Sequence, residues 1–178
     1  LGCPKTHTMS IREIDPTNQA EIGIVAQRMR DTLIEVEGES RGTTMYSLQW
    51  LEDRLRWHLN PANTTAQVLV AISESGSIIG HTIYRIESQD LDPFGLISTT
   101  YVLPSARKSG LAASFLSRAH EWFKSHGIST SCTWTSSTNT PLIALYKKFG
   151  YEIVDEGPND LTGTTMIKLG VSPIPGAT

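Results

Sequence analysis

The sequence predicts a mixed α/β fold, a central sheet of about seven strands flanked by about four helices. Three observations carry this reading. Segments such as 66–72 (AQVLVAI) and 77–85 (SIIGHTIYR) are apolar, of strand length, and bounded by turn residues. Longer segments repeat apolar residues at helical spacing. The two kinds interleave as β-α-α-β-β-β-α-β-α-β-β. No internal repeat or low-complexity linker interrupts them, so one domain over residues 1–178 is expected.

Each element follows from its residues. Ser10 to Ile14 is a short strand, and Asp15-Pro16-Thr17 offers a helix start with Pro in the first turn. Ile22, Val25, Met29, Leu33 and Val36 then share one helical face, and Gly38 stops that helix before a polar loop to Thr44. A second helix spans Ser47 to Leu59. Leu48, Leu51, Leu55 and Leu59 form one stripe, and Trp50 and Trp57 lie on another. Strands at 66–72 and 77–85 flank the turn Ser73–Gly76, and a fourth strand runs over 95–103. The next helix, 110–126, is expected to bury Leu111, Ala112, Phe115, Leu116, Ala119, Trp122 and Phe123 and to end at Gly127. A strand at 128–135, a short helix at 141–149 closed by Gly150, and strands at 151–155 and 164–169 complete the chain.

Composition narrows the function. The chain is 39% hydrophobic and 19% charged, with net charge −3, which is ordinary for a soluble globular protein. No basic cluster suggests a nucleic-acid surface. No apolar run approaches the ~20 residues of a membrane helix. Cys3 and Cys132 do not suggest a disulfide framework and fit a reducing, cytoplasmic setting. No Cys and His spacing suggests a metal; His120 and His126 lie on different sides of their helix. Residues 1–8 are expected to be an N-terminal extension or a remnant of expression, with Met9 the natural start, and 170–178 a tail.

The chemistry centres on 102–112 (VLPSARKSGLA). Pro104 ends the fourth strand, because it cannot donate to a ladder. The chain then turns into a helix opened by Gly110 and thinned by Ala112 and Ala113. The free N–H groups of a helix's first turn, with its dipole, favour an anion. Arg107 and Lys108 add positive charge, so a pyrophosphate fits. About thirty residues on, after another strand, comes Asn139 to Tyr151 (NTPLIALYKKFGY).

Together these stretches resemble the GNAT superfamily of N-acetyltransferases. Its acetyl-CoA motif, Arg/Gln-x-x-Gly-x-Gly/Ala, is matched by Arg107, Gly110 and Ala112, with Val102 and Pro104 at its habitual strand end. Its second motif is matched by Asn139, Tyr146, Phe149, Gly150 and Tyr151. The order of elements fits along most of the chain, while the motifs fall within 95–155.

The resemblance implies a sheet splayed between its fourth and fifth strands. The pantetheine arm of acetyl-CoA would lie in that gap along Tyr101, Val102 and Leu103. The pyrophosphate would sit on Arg107, Lys108, Ser109, Gly110, Leu111 and Ala112. Asn139 would bond the arm or cap its helix. An amine would attack the thioester directly, a backbone N–H near Val102 or Leu103 would stabilise the carbonyl oxygen, and Tyr146 would protonate the leaving thiolate. No metal is implied. Many relatives carry a carboxylate on the fourth strand, and 97–101 (ISTTY) has none. Glu87, Asp90, Asp92, Glu37 and Glu39 are the candidate bases, or a water relay; His81 reads as structural. Glu35, Glu37 and Glu39 with Trp50 and Trp57 suit a small cationic amine: a polyamine, an aminoglycoside or an amino-acid amine. A protein or peptide amine and a non-catalytic acyl-CoA-binding module are the alternatives. The resemblance leaves room for a homodimer.

Overall fold

The computed structural model describes residues 9–176. In chain order the elements are β1 (Ser10–Glu13), α1 (Gln19–Glu37), α2 (Glu39–Met45), α3 (Leu48–Leu59), β2 (Thr65–Ile72), β3 (Ile78–Gln89), β4 (Asp92–Val102), α4 (Leu111–Ser125), β5 (Ser131–Ser136), α5 (Thr140–Lys148), β6 (Glu152–Pro158) and β7 (Thr165–Val171). A 3₁₀ turn, Pro104–Ala106, links β4 to α4. The sheet order is β1-β2-β3-β4-β5-β7-β6. Only β4 and β5 pair in parallel.

Apolar side chains fill both faces of the sheet. On one face Phe115, Ala119 and Phe123 of α4 and Tyr146 of α5 pack with Tyr84, Ile97 and Leu169. On the other, Ile22 and Val25 of α1 and Leu55 of α3 pack with Val68, Val70 and Ile83. The helical periods read from the sequence are therefore real sheet-facing stripes.

Three expectations change. The first helix starts later than Asp15, because the Asp15 carboxylate accepts the Thr17 N–H at 2.9 Å and its hydroxyl at 2.7 Å, closing a local turn. Asn18 is the cap, accepting from the Glu21 N–H at 3.2 Å. The polar loop to Thr44 is a helix, α2. Its polarity is absorbed locally: the Thr43 hydroxyl donates to Glu39 O at 2.7 Å and that of Thr44 to Ser40 O at 2.9 Å. Arg30 of α1 donates to Thr43 O at 2.9 Å. Gly42 lets the two helices meet, since a Cβ there would stand 2.5 Å from Ile34 backbone atoms.

The tail is the third change. Gly170 and Val171 belong to β7, and Ile174 is buried with its N–H on Ser129 O at 2.8 Å. One apolar side chain among Gly and Pro is enough to anchor the segment. Residues 1–8 and 177–178 lie outside the described residues.

Gly42→Ala tests the α1–α2 contact. Overpacking of this kind costs about 1–3 kcal/mol. A lower urea midpoint with unchanged slope is expected, and an unchanged midpoint would show that α2 is not pressed against α1.

Candidate active site

The β4–β5 ladder is short. It pairs Gly95 with Ser131, Leu96 with Cys132 and Ile97 with Thr133, and there it ends. The Thr133 hydroxyl donates to Ile97 O at 2.7 Å across the last rung. Beyond it, β4 stays on β3 through Val102, while β5 stays on β7 through Ser136. The sheet opens between them, as the sequence resemblance implied.

Successive amides of a strand point to opposite edges. The Leu103 N–H donates to Ile79 O at 2.9 Å, so it faces β3 and is not available in the gap. By the same alternation the Val102 N–H faces the gap. The Val102 carbonyl accepts from Arg107 Nε at 2.9 Å. Of the expected segment Tyr101 to Leu103, it is thus Val102 whose backbone addresses the opening.

The loop after β4 has the backbone an anion cradle needs. Lys108 (φ 64°) and Gly110 (φ 83°) are both left-handed. Gly110 caps α4 and a Cβ there would meet nothing, so conformation and not space calls for glycine. No hydrogen bond between described residues engages the N–H groups of Lys108 through Ala113. Lys108, Ser109 and Gly110 are exposed, whereas the Leu111 side chain is buried, so only its backbone can serve a ligand. Ala112 is half-buried beside it. The Arg107 guanidinium is engaged by the Glu35 carboxylate through bonds of 2.6 and 2.8 Å. That pair raises the pKa of Arg107.

Tyr146 is buried at the split. Burial raises its pKa; the neighbouring Thr133 and Thr100 hydroxyls, one from each parting strand, pull weakly the other way. The phenol therefore keeps its proton. Asn139 stands at the N-cap of α5 without a side-chain cap bond, so the expected capping role is not made among the described residues. The helix instead starts on Thr140-Pro141, and the half-buried Asn139 lines the cleft.

That cleft, about 390 Å³, runs from α1–α3 across β3–β5 to α5. Glu37, Tyr46, Trp50, Arg54, His58, Arg85, Thr100, Thr133 and Tyr146 contribute to its wall. Glu37 accepts from the Thr164 hydroxyl at 2.8 Å. Trp50 stacks on Tyr46, 4.1 Å between centroids and 13° between planes. Other expected site residues are elsewhere. Glu39 opens α2, exposed and off the cleft wall, and Glu35 is turned to Arg107. Trp57 is not on the wall; it lies under Arg54, 4.1 Å away, and Arg85, 5.6 Å away.

The candidate bases sort by place. Asp90 and Asp92 sit at the β3–β4 turn, seven residues of β3 from the level of Thr100, roughly 23 Å. Glu87 is bound to Arg85 Nε at 2.5 Å. Glu37 is the carboxylate on the wall. His81 is fully buried, and neither ring nitrogen has a hydrogen-bond partner among the described residues.

Arg54, Arg85 and His58 escaped the sequence reading. His58 Nδ1 faces Arg54 O at 2.9 Å and must donate, so Nε2 accepts from Arg85 Nη1 at 2.9 Å. Burial, with Arg85 and Arg54 nearby, pulls the His58 pKa down to about 4. The sequence signal was the Arg85-x-Glu87 alternation in a strand, which puts both side chains on one face.

The fold is that of an acyl-CoA-dependent transferase. The family model described as acetyltransferase (GNAT) family matches residues 26–151, and the chain belongs to that family. It is an acetyltransferase that uses acetyl-CoA and an amine acceptor. A search of curated proteins finds no match. Among solved structures, the chain is similar to one from the NatC complex bound to Gag peptide and CoA (TM-score 0.75, 16% identity, covering 92% of this chain and 98% of that one). It is also similar to spermidine N-acetyltransferase from Vibrio cholerae in complex with CoA and spermine (0.70, 12%, 93% and 95%). A third is the ribosomal-protein-S18-alanine N-acetyltransferase from Escherichia coli (0.67, 13%, 96% and 97%). At these identities the likeness concerns the fold. No helix among the described residues is long and apolar enough to cross a membrane.

Buried histidines give a pH prediction. His58 and His120 titrate near 4 and His81 near 3, against an ordinary value of 6.5. Below about 6.5 the unfolded chain binds protons that the folded chain does not, so stability falls as pH drops from there toward 4. Urea midpoints across that range should show the fall, and His58→Gln should make it shallower.

Proposed function

We propose that this chain transfers the acetyl group of acetyl-CoA to the primary amine of a small molecule, by direct attack in a ternary complex. The single observation carrying this is Tyr146: a protonated, buried phenol between the Thr100 and Thr133 hydroxyls, where β4 and β5 part. The open amides of Lys108–Ala113 support a pyrophosphate there, and the Val102 N–H supports the growing charge on the carbonyl oxygen. A phosphate draws Arg107 from Glu35 at little cost, since a partly exposed pair is worth about 0–1 kcal/mol.

The acceptor amine arrives as an ammonium with a pKa near ~10.4. Glu37, directly or through water, takes its proton. The amine lone pair forms the C–N bond, the C–S bond breaks, and Tyr146 gives its proton to the thiolate. The attacking nitrogen sheds its second proton, which returns to the phenolate through solvent, and the proton on Glu37 is released to solvent. Glu37 supports a cationic reacting group in the cleft, and the Tyr46–Trp50 stack lines the same wall one turn of α3 from Arg54.

A peptide acceptor is the rival reading, and two of the similar structures act on or bind proteins by their descriptions. The Glu37–Thr164 bond favours the small molecule. It ties the end of α1 to the residues before β7, beside the cleft that Glu37 and Asn159 line, where an open peptide groove would need separation.

Tyr146→Phe keeps the ring in the core and removes the proton. Turnover, read as thiol release, should fall about 10²-fold or more. Acetyl-CoA affinity should change little. Undiminished turnover would take Tyr146 out of the acid role.

A further inference from the structure

The cleft has a second charged end. Arg54 projects from α3 and Arg85 from β3, and both line the wall. Arg85 is fixed by Glu87 at 2.5 Å and by neutral His58 at 2.9 Å. Arg54 is half-buried and rests on the Trp57 ring, 4.1 Å from its centroid. Its guanidinium has no hydrogen bond or ion pair with any described residue. Its pKa is lowered, by burial first and then by the charge of Arg85, with Glu87 opposing. Two guanidinium groups thus share one carboxylate, and the surplus positive charge faces the cleft. A half-buried guanidinium with no carboxylate partner, beside a second one held in place, can bind an anion through charge-assisted hydrogen bonds.

The spacing adds a length. Arg85 is in register with Leu96 of β4, and the Tyr146 hydroxyl lies by Thr100. Thr100 pairs with Thr82, three residues from Arg85 along β3, so the levels are about 10 Å of strand apart. The long Arg85 and Arg54 side chains shorten the span between charges. An α-amino acid is too short to reach both ends; an amine several bonds from its anionic group is not.

Resting on the transferase reading above, we infer that the acceptor carries an anionic group, a carboxylate or phosphate, that Arg54 and Arg85 hold while its distant primary amine reaches Tyr146. The cationic character expected from Glu37 and Trp50 then belongs to the reacting amine and not to the whole molecule.

The test compares 6-aminohexanoate, 6-aminohexanamide, hexylamine, a phosphate ester of 6-aminohexanol and spermidine as acceptors, by thiol release from acetyl-CoA. Calorimetric binding of 6-aminohexanoate in the presence of CoA runs alongside. The kcat/KM for the two anionic amines should exceed that of the amide by about tenfold or more, as one charge-assisted contact requires. The relative rates of the two distinguish carboxylate from phosphate. Arg54→Gln should collapse the carboxylate-to-amide ratio to near one, with thermal midpoint checked against wild type. Turnover that prefers spermidine or treats acid and amide alike would overturn the inference and leave the transferase reading standing. Arg54-dependent binding without turnover on any amine would support the anion site and sink the transferase reading. Neither binding nor turnover of 6-aminohexanoate would overturn the inference.

Discussion

The structure turns on one rung. At Ile97 and Thr133 the parallel β4–β5 ladder stops, and the Thr133 hydroxyl bonds to the Ile97 carbonyl across it. A strand edge in a sheet interior is costly when its amides have no partner. The chain bears that cost by giving each strand a partner on its outer side, β3 for β4 and β7 for β5. The result is an inner edge that is open, rigid and held on both sides. The Val102 amide faces it, α4 begins above it, and α5 packs Tyr146 into its floor. Extending the ladder by one turn of pairing would bury all three.

Charge is distributed along the cleft in a way the net charge of −3 does not reveal. One part of the wall carries the Glu37 carboxylate. Another carries two arginines, a neutral histidine and a tryptophan beneath them. His58 is what lets the arginines coexist there. Its burial keeps it uncharged, so it accepts from Arg85 without adding a third cation. Charging it would place like charges in contact.

How legible this was depends on how local the cause is. The strands, α1, α3, α4 and α5 follow from periodicity and stops, and their stripes are the sheet-facing ones. The loop and Tyr146 were visible through short motifs, because a phosphate cradle and its helix are contiguous. α2 was not visible: its polar sequence is satisfied by threonine-to-carbonyl bonds and by a glycine contact with α1, and neither gives an apolar period. The cleft wall was half visible. Trp50 and Trp57 share a stripe by spacing, yet one lines the cleft and the other supports two arginines. Only the β2–β3 register beside α3 decides that, and no local pattern encodes it. The missing fourth-strand carboxylate was read correctly as a departure. The carboxylate that lines the cleft, Glu37, comes from a helix end brought over by tertiary packing.

Helix α1 connects the two halves of the site. Its last turns carry Glu35, bonded to Arg107 of the loop, and Glu37, bonded to Thr164 beside the cleft. Two residues apart on a helix, these carboxylates point about 200° around the axis from each other, so one helix end is gripped from both sides. The Arg107 grip is partly exposed and worth about 0–1 kcal/mol. An anion at the loop competes for the same guanidinium. Releasing Glu35 leaves that helix end held by the Thr164 bond and by the packing of α2 on Ile34. Glu35, Arg107, Glu37 and Thr164 thus join the loop before α4 and the cleft wall to one helix end.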